Sequence, residues 1–214
     1  MKERISYYSD GLKLSGLLSK PDNSQGKKFP GVVLVPGFMS TADAFFPGFA
    51  EEFKAAGFVA LTMDFRGFGE SEGVRGEVIP YLQIYDASNA ISYLQSRPEV
   101  NPDKIAVLGV SLGGGEVAYI AARDRRVKAV ASMVLVGEGE RRMRRFRTEQ
   151  QWQTLMQKVQ EDRINRAAES GPAALSFKKR SPFCGTVAHW ANSPMACRAR
   201  GRHSGFRTVG LGDD

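Results

Sequence analysis

The sequence predicts an α/β fold, a mostly parallel sheet with helices on both faces. Three observations carry this expectation. Apolar runs of strand length alternate with amphipathic stretches of helical length from Leu12 to Val136. The connections Pro36 to Thr41, Asp64 to Glu72 and Val110 to Gly115 leave three of those runs with unusual sequence, at the sheet edge where ligands gather in such folds. The third connection contains Gly109-Val110-Ser111-Leu112-Gly113 between a strand-like and a helix-like run. Two small residues around a serine allow a sharp strand-to-helix turn that lifts the hydroxyl above the sheet.

The elements follow in order. Leu12 to Ser19 and Gly31 to Val35 read as strands, joined through Lys20 to Lys28, which is rich in turn-forming residues. From Asp43 to Ala56, Phe45, Phe46, Phe49, Phe53 and Ala56 recur at helical spacing, and Gly57 is placed to end the helix. Phe58 to Met63 reads as a buried strand. Pro80 to Gln95 carries Leu82, Ile84, Tyr85, Ala90, Ile91 and Leu94 within one helix-length window closed by Pro98. Asn101, Pro102 and Asp103 predict a turn, Lys104 to Val110 a strand, Gly113 to Arg123 a helix, and Val127 to Val136 a further apolar strand. Beyond Gly137 the pattern becomes charged and amphipathic, with Trp152, Leu155, Met156, Val159 and Ile164 forming one apolar stripe. This predicts an inserted helix or helix pair over about residues 138–170, serving either as a lid above the sheet or as ordinary packing on the core.

At 214 residues the chain has the length of one catalytic domain with a full core. The formal charge of +7 suggests nucleic-acid binding until it is divided along the chain. From Ser176 onward lie seven basic residues (Lys178, Lys179, Arg180, Arg198, Arg200, Arg202, Arg207) against Asp213 and Asp214, so +5 belongs to the tail. The same tail holds Cys184, Cys197, His189 and His203 and lacks clear periodicity, and composition breaks near residue 175. Residues 1–175 are therefore expected to form the core with its insertion, and 176–214 an atypical basic tail, frame-shifted or disordered. Two cysteines make no zinc site, and neither a metal nor a cofactor is expected. Met1 to Asp10 alternates charged and aromatic residues instead of showing a secretory signal, and no apolar run has membrane-spanning length. A cytoplasmic protein with no membrane or nucleic-acid partner is expected.

Pro36-Gly37-Phe38, the run Asp64-Phe65-Arg66-Gly67-Phe68-Gly69-Glu70-Ser71, Asn101-Pro102-Asp103-Lys104-Ile105 and the pentapeptide around Ser111 occur in that order. Over roughly residues 10 to 170 the chain resembles the alpha/beta-hydrolase family, in particular its small bacterial serine esterases and acyl-peptide hydrolase-like proteins. The resemblance implies an alpha/beta-hydrolase fold and a serine hydrolase acting on a small-molecule ester or acyl substrate through an acyl-enzyme on Ser111. It implies an oxyanion hole made by the backbone amides of Leu112, at the positive end of a helix, and Phe38. Alternatively Ser111 caps the following helix. Asp64 and Arg66 invite a catalytic reading but are expected to tie their glycine-rich loop into place. Arg141, Arg142, Arg144, Arg145 and Arg147 invite a phosphate-binding reading. Glu138 and Glu140, four residues ahead of Arg142 and Arg144, instead predict a solvated helix face.

The family presents its triad in the order serine, acid, histidine, with acid and histidine after later strands. Asp124, near the end of a predicted helix, and Asp162, in the insertion, do not follow strands; Glu161 and Glu169 share that defect. No histidine precedes His189. The expected C-terminal strands have no counterpart from Ser176 to Gly210, so the fold is expected to be incomplete there. Three functions stay open: a carboxylic ester hydrolase, a peptidase of the same fold, and an inactive truncated hydrolase or binding protein on that scaffold.

Overall fold

The computed structural model describes residues 2–22 and 26–168. The chain opens with a hairpin in which β1 (Lys2–Ser9) pairs antiparallel with β2 (Leu12–Ser19). Its two turn residues, Asp10 and Gly11, both sit at positive φ (48° and 80°), which matches the right-handed twist of the strands they join. β1 is an element the sequence reading lacks. Its signal is a period of two: Ile5, Tyr7 and Ser9 are buried while Arg4, Ser6 and Tyr8 are exposed.

There follow β3 (Phe29–Val35), α1 (Pro47–Ala55), β4 (Val59–Met63), α2 (Pro80–Ser96), β5 (Val100–Val110), α3 (Leu112–Arg123), β6 (Val127–Met133), α4 (Gly139–Arg145) and α5 (Glu149–Ala168). The six strands form one sheet in the order β1-β2-β4-β3-β5-β6. The β3–β4, β3–β5 and β5–β6 pairs are parallel, while β2 joins β4 antiparallel. Alternate residues of β3 divide the core between the two faces. Val33 and Val35 join a cluster with Ala90, Ile91 and Leu94 of α2 and Val117 and Ile120 of α3. Val32 and Leu34 join Phe46 and Ala50 at α1. Helices thus cover both faces, and the sheet is mixed only at its N-terminal edge.

Three boundaries differ from the sequence reading. The helix expected from Asp43 starts at Pro47, because Thr41 to Phe46 form turns and proline suits the first helical turn, where an amide would have no partner. Phe45, Phe46 and Phe49 still meet, with ring centroids 5.3 to 5.9 Å apart. Asn101-Pro102-Asp103 lies within β5 instead of before it: Phe29 pairs with Val100, and the register then shifts so that Gly31 pairs with Ile105. β6 ends at Met133 and not at Val136, since Val134 adopts φ 44° and turns the chain away.

Among the described residues β6 is an edge strand opposite β1, and all its residues after Val127 are exposed. Of the apolar stripe beyond it, Trp152 is buried, Leu155 and Val159 are half-buried, and Met156 and Ile164 are exposed. The chain divides into a unit Met1–Ile164 and a unit Asn165–Asp214; of the latter only residues 165–168, the end of α5, are described. The tail from 176, with Cys184, Cys197, His189 and His203, lies outside the described residues. Among the described residues no helix is long and apolar enough to cross a membrane, and no cluster of metal-ligating side chains occurs.

Candidate active site

At the end of β5 the backbone of Ser111 adopts φ 56° and ψ −114°, then enters α3. A non-glycine residue in such a conformation costs about 1–3 kcal/mol and persists only where its surroundings enforce it. Here three contacts do so. The Ser111 amide donates to the Met133 carbonyl (3.0 Å), and the Ser111 carbonyl accepts from Val136 (3.0 Å) and from Gly115 (3.4 Å). The chain leaving β6 therefore clamps the turn on both sides. The flanking glycines are dictated by space: a Cβ on Gly113 would lie 2.5 Å from the Val35 carbonyl oxygen, and one on Gly109 would lie 2.5 Å from the Gly113 carbonyl carbon. A side chain at either position pushes α3 off the sheet.

The Ser111 side chain makes no capping bond to α3, so the helix-cap alternative does not describe it. Its residue is half-buried. Leu112 opens α3, where the first amides have no partner within the helix and the positive end of its dipole faces the turn. The loop after β3 arrives from the other side: a Cβ on Gly37 would lie 3.2 Å from the Ser111 Cβ. The Ser40 amide donates to the Gly37 carbonyl (3.1 Å) around Met39, which has φ 56°, so Phe38 sits in a tight turn beside the serine. Sequence residues Ser111, Leu112 and Phe38 are thereby brought to one place at the carboxyl edge of the sheet.

Asp64 and Arg66 hold loops together. The buried Asp64 carboxylate accepts from the amides of Ala42 (2.6 Å) and Glu70 (3.2 Å), and its carbonyl accepts from the Ser71 hydroxyl (2.8 Å). Burial raises its pKa, while these backbone donors oppose the rise. Gly69 (φ 51°) lies so close to this carboxylate that a Cβ there would overlap it. Arg66 grips the fully buried Asp86 of α2 with Nε (3.1 and 3.0 Å) and Nη2 (2.7 Å), adding a bond from its own amide (3.1 Å). Nη2 also reaches Asp10 in the hairpin turn at 2.9 Å.

Other candidates stay apart. Asp124 caps the far end of α3 and is engaged by Arg126 at 2.6 and 2.8 Å. Asp162 and Glu161 lie on α5; Glu169, His189 and His203 fall outside the described residues. The residues of α4 are exposed apart from Met143, as the reading of a solvated helix face expects. Glu138 accepts from the Arg141 amide as the cap of α4, Arg142 lies over the Phe146 ring at 4.6 Å, and Arg144 pairs with Glu149 at 2.9 Å.

One titratable group went unread in the sequence. Glu116, five residues into α3 from the serine, is 3% exposed, and neither carboxyl oxygen has a partner among the described residues. Burial first, and Asp86 second, push its pKa up to about 8, so it is protonated at neutral pH. A single acidic letter within Gly113-Gly114-Gly115-Glu116-Val117 gives no sign of burial; only the helical phase with Gly113, Val117 and Ile120 does.

A parallel-centred sheet with a strained serine between β5 and α3, approached by the loop after β3, defines an alpha/beta hydrolase. Residues 27–186 match the family model of serine aminopeptidase, S33, and the chain belongs to that family of alpha/beta hydrolases. It is similar to an uncharacterized 31.7 kDa protein of the traX-finO intergenic region of Escherichia coli, 38% identical over 53% of this chain and 40% of that protein. It is also similar to thiohydrolase apmlB of Arthrinium phaeospermum, 36% identical over 62% of this chain and 43% of that one. Among solved structures, hypothetical protein PA2218 of Pseudomonas aeruginosa superposes with a TM-score of 0.73 and 25% identity over 95% of this chain and 65% of that chain. The chain spans less than half the length of these curated relatives.

Proposed function

We propose that this chain is a serine hydrolase that cleaves carboxylic esters through an acyl-enzyme on Ser111. The observation that carries the reading is the backbone of Ser111. Its strained φ and ψ, clamped through Met133 and Val136, hold a hydroxyl that does not serve the helix it precedes. In the reaction the Ser111 oxygen bonds to the carbonyl carbon and its proton passes to a base. The Leu112 and Phe38 amides stabilise the oxyanion, the alcohol leaves with a proton, and water then releases the acid and restores the serine. The name of thiohydrolase apmlB supports thioesters within the same acyl chemistry, and the family's name keeps an amide-cleaving peptidase beside the ester reading.

A second reading has its own observation. The chain's two histidines are His189 and His203, and the buried acids Asp64 and Asp86 are committed to loop and helix contacts. On this reading the scaffold is a catalytically inactive hydrolase or binding protein. Hydrolysis of a short-chain nitrophenyl ester separates the two. Turnover that Ser111→Ala lowers by at least about a thousandfold, the scale of removing a serine nucleophile, supports the hydrolase. Turnover equal in wild type and variant, or absent from both, contradicts it.

A further inference from the structure

Three orphaned oxygens lie on two neighbouring helices of the core. Both carboxyl oxygens of Glu116 and the amide oxygen Oε1 of Gln83 are closed to solvent and have no hydrogen-bond partner among the described residues. Glu116 is 3% exposed and Gln83 2%. Each such oxygen carries a desolvation cost that a native fold offsets with a partner.

The fold brings these oxygens to one level. α2 connects β4 to β5 and α3 connects β5 to β6, so both helices run back from the carboxyl edge of the sheet, and they pack against each other. Gln83 is the fourth residue of α2 and Glu116 the fifth of α3, which places each in the second turn below that edge. At about 100° per residue, Asp86 lies on one side of Gln83, and Ala87 and Ile91 lie on the other, with Ser88 and Ser92 further round. Asp86 turns to Arg66. The opposite side is the one that Arg126, just past α3, reaches at the Ser92 hydroxyl (2.7 Å) and the Ser88 carbonyl (3.2 Å). Gln83 therefore sits between Asp86 and the side of α2 that faces α3, and Glu116 is near enough to Asp86 to feel its charge.

We propose that these three oxygens form a site for one buried water that bolts α2 to α3 beneath the serine turn, with Glu116 and Gln83 as positioning residues for the hydrolysis proposed above. A neutral Glu116 carboxyl donates its O–H to the water. The water donates one hydrogen to the other carboxyl oxygen and one to Gln83 Oε1, so a single molecule satisfies all three. α3 begins with Leu112, and its Gly115 amide bonds to the Ser111 carbonyl, so the bolt steadies the helix end that presents the oxyanion amide. Other charges stand off. β3 has no titratable side chain, and Asp103 and Lys104 of β5 and Lys128 of β6 lie towards the opposite ends of their strands. On α2, Asp86 is buried against Arg66, Tyr81 and Tyr85 are exposed, and Tyr93 lies near the far end. Ionised Glu116 has no proton to give, so the site weakens as pH rises. The positioning role rests on the hydrolase reading; the water site does not.

A crystal structure of the full chain near pH 6 is expected to show one water within about 2.7–3.2 Å of Gln83 Oε1 and of the Glu116 carboxyl. Side chains that touch each other directly, or share no water, overturn the site. The energetic test is a double-mutant cycle in urea near pH 6 with the unbranched substitutions Gln83→Met and Glu116→Met. Each single change leaves the partner's oxygens orphaned and is expected to lower the folding constant about tenfold, whereas the double variant, which removes all three oxygens, recovers most of that loss. Singles that do not fold beside a double that does also support the site. Losses that add, singles without loss, or a double that does not fold overturn it. Stability that depends on sodium or potassium assigns the oxygens to a cation and overturns it as well. For the positioning role, kcat on a nitrophenyl ester is expected to fall about ten- to a hundredfold in Glu116→Met at unchanged KM and to return in Glu116→Gln. Equal kcat in all three overturns that role. A wild type without turnover ends the hydrolase reading and the positioning role with it, while the crystal structure and the cycle still decide the water site.

Discussion

Ser111, which precedes α3, and Glu116, within it, show how differently a residue can be written in a sequence. Ser111 is legible because its conformation needs particular neighbours: two glycines for the close approach of α3 to β3 and β5, and an apolar strand before it. Glu116 is illegible because what matters is its surroundings, a core of helix and sheet side chains that leaves both oxygens without partners. Its pKa, raised to about 8 from an ordinary 4.5, makes stability depend on pH. Below 4.5 the group is neutral in both folded and unfolded chains and nothing is lost. As pH rises towards 8 the unfolded chain releases its proton first, so this group lowers stability by roughly 1.4 kcal/mol per pH unit. Above 8 its effect levels off. Glu116→Gln is expected to remove this slope and to be more stable than wild type at pH 8, measured by urea unfolding across pH. Parallel wild-type and variant profiles would contradict the assignment.

Between elements, the most consequential link is the Arg66–Asp86 pair, which ties the loop after β4 to α2 and, through Asp10, to the β1–β2 turn. Arg66→Ala leaves Asp86 buried and uncompensated, and is expected to destabilise the fold by about 3 kcal/mol or more. Arg66→Lys is expected to recover only part of this, because an ammonium has no fork to match the carboxylate. A loss below about 1 kcal/mol for Arg66→Ala would show that the pair is not structural. The sequence signals a tight loop at Asp64 to Ser71 but not the partner, since Asp86 is twenty residues away on a helix whose buried face also contains Gln83. Element boundaries were lost for local reasons: proline set the start of α1, a positive φ at Val134 ended β6, and pairing with Phe29 drew Val100 into β5. The solvated face read for α4 holds, while its N-terminal cap and the aromatic rings beneath its arginines are not revealed by spacing alone.

For the whole molecule, the alternation of apolar runs and helices was enough for the α/β architecture, and four motifs in order were enough for the alpha/beta-hydrolase family. Leu12 to Ser19 was legible as a strand, but its antiparallel partner β1 was hidden by charged residues on its exposed face, whereas β6 looks interior in sequence and is an edge among the described residues. The same distinction separates scaffold from chemistry. Ser111, Leu112 and Phe38 can be placed from motifs because their backbone geometry is local, whereas the base that the proposed mechanism requires leaves no mark near the serine. The central proposal, a nucleophilic Ser111, is tested most directly by exposing the full chain to a fluorophosphonate and locating the adduct by peptide mass spectrometry. The expected result is a single adduct on Ser111 that disappears in Ser111→Ala; an unlabelled Ser111 in a folded chain, or a label elsewhere that survives the substitution, would contradict it.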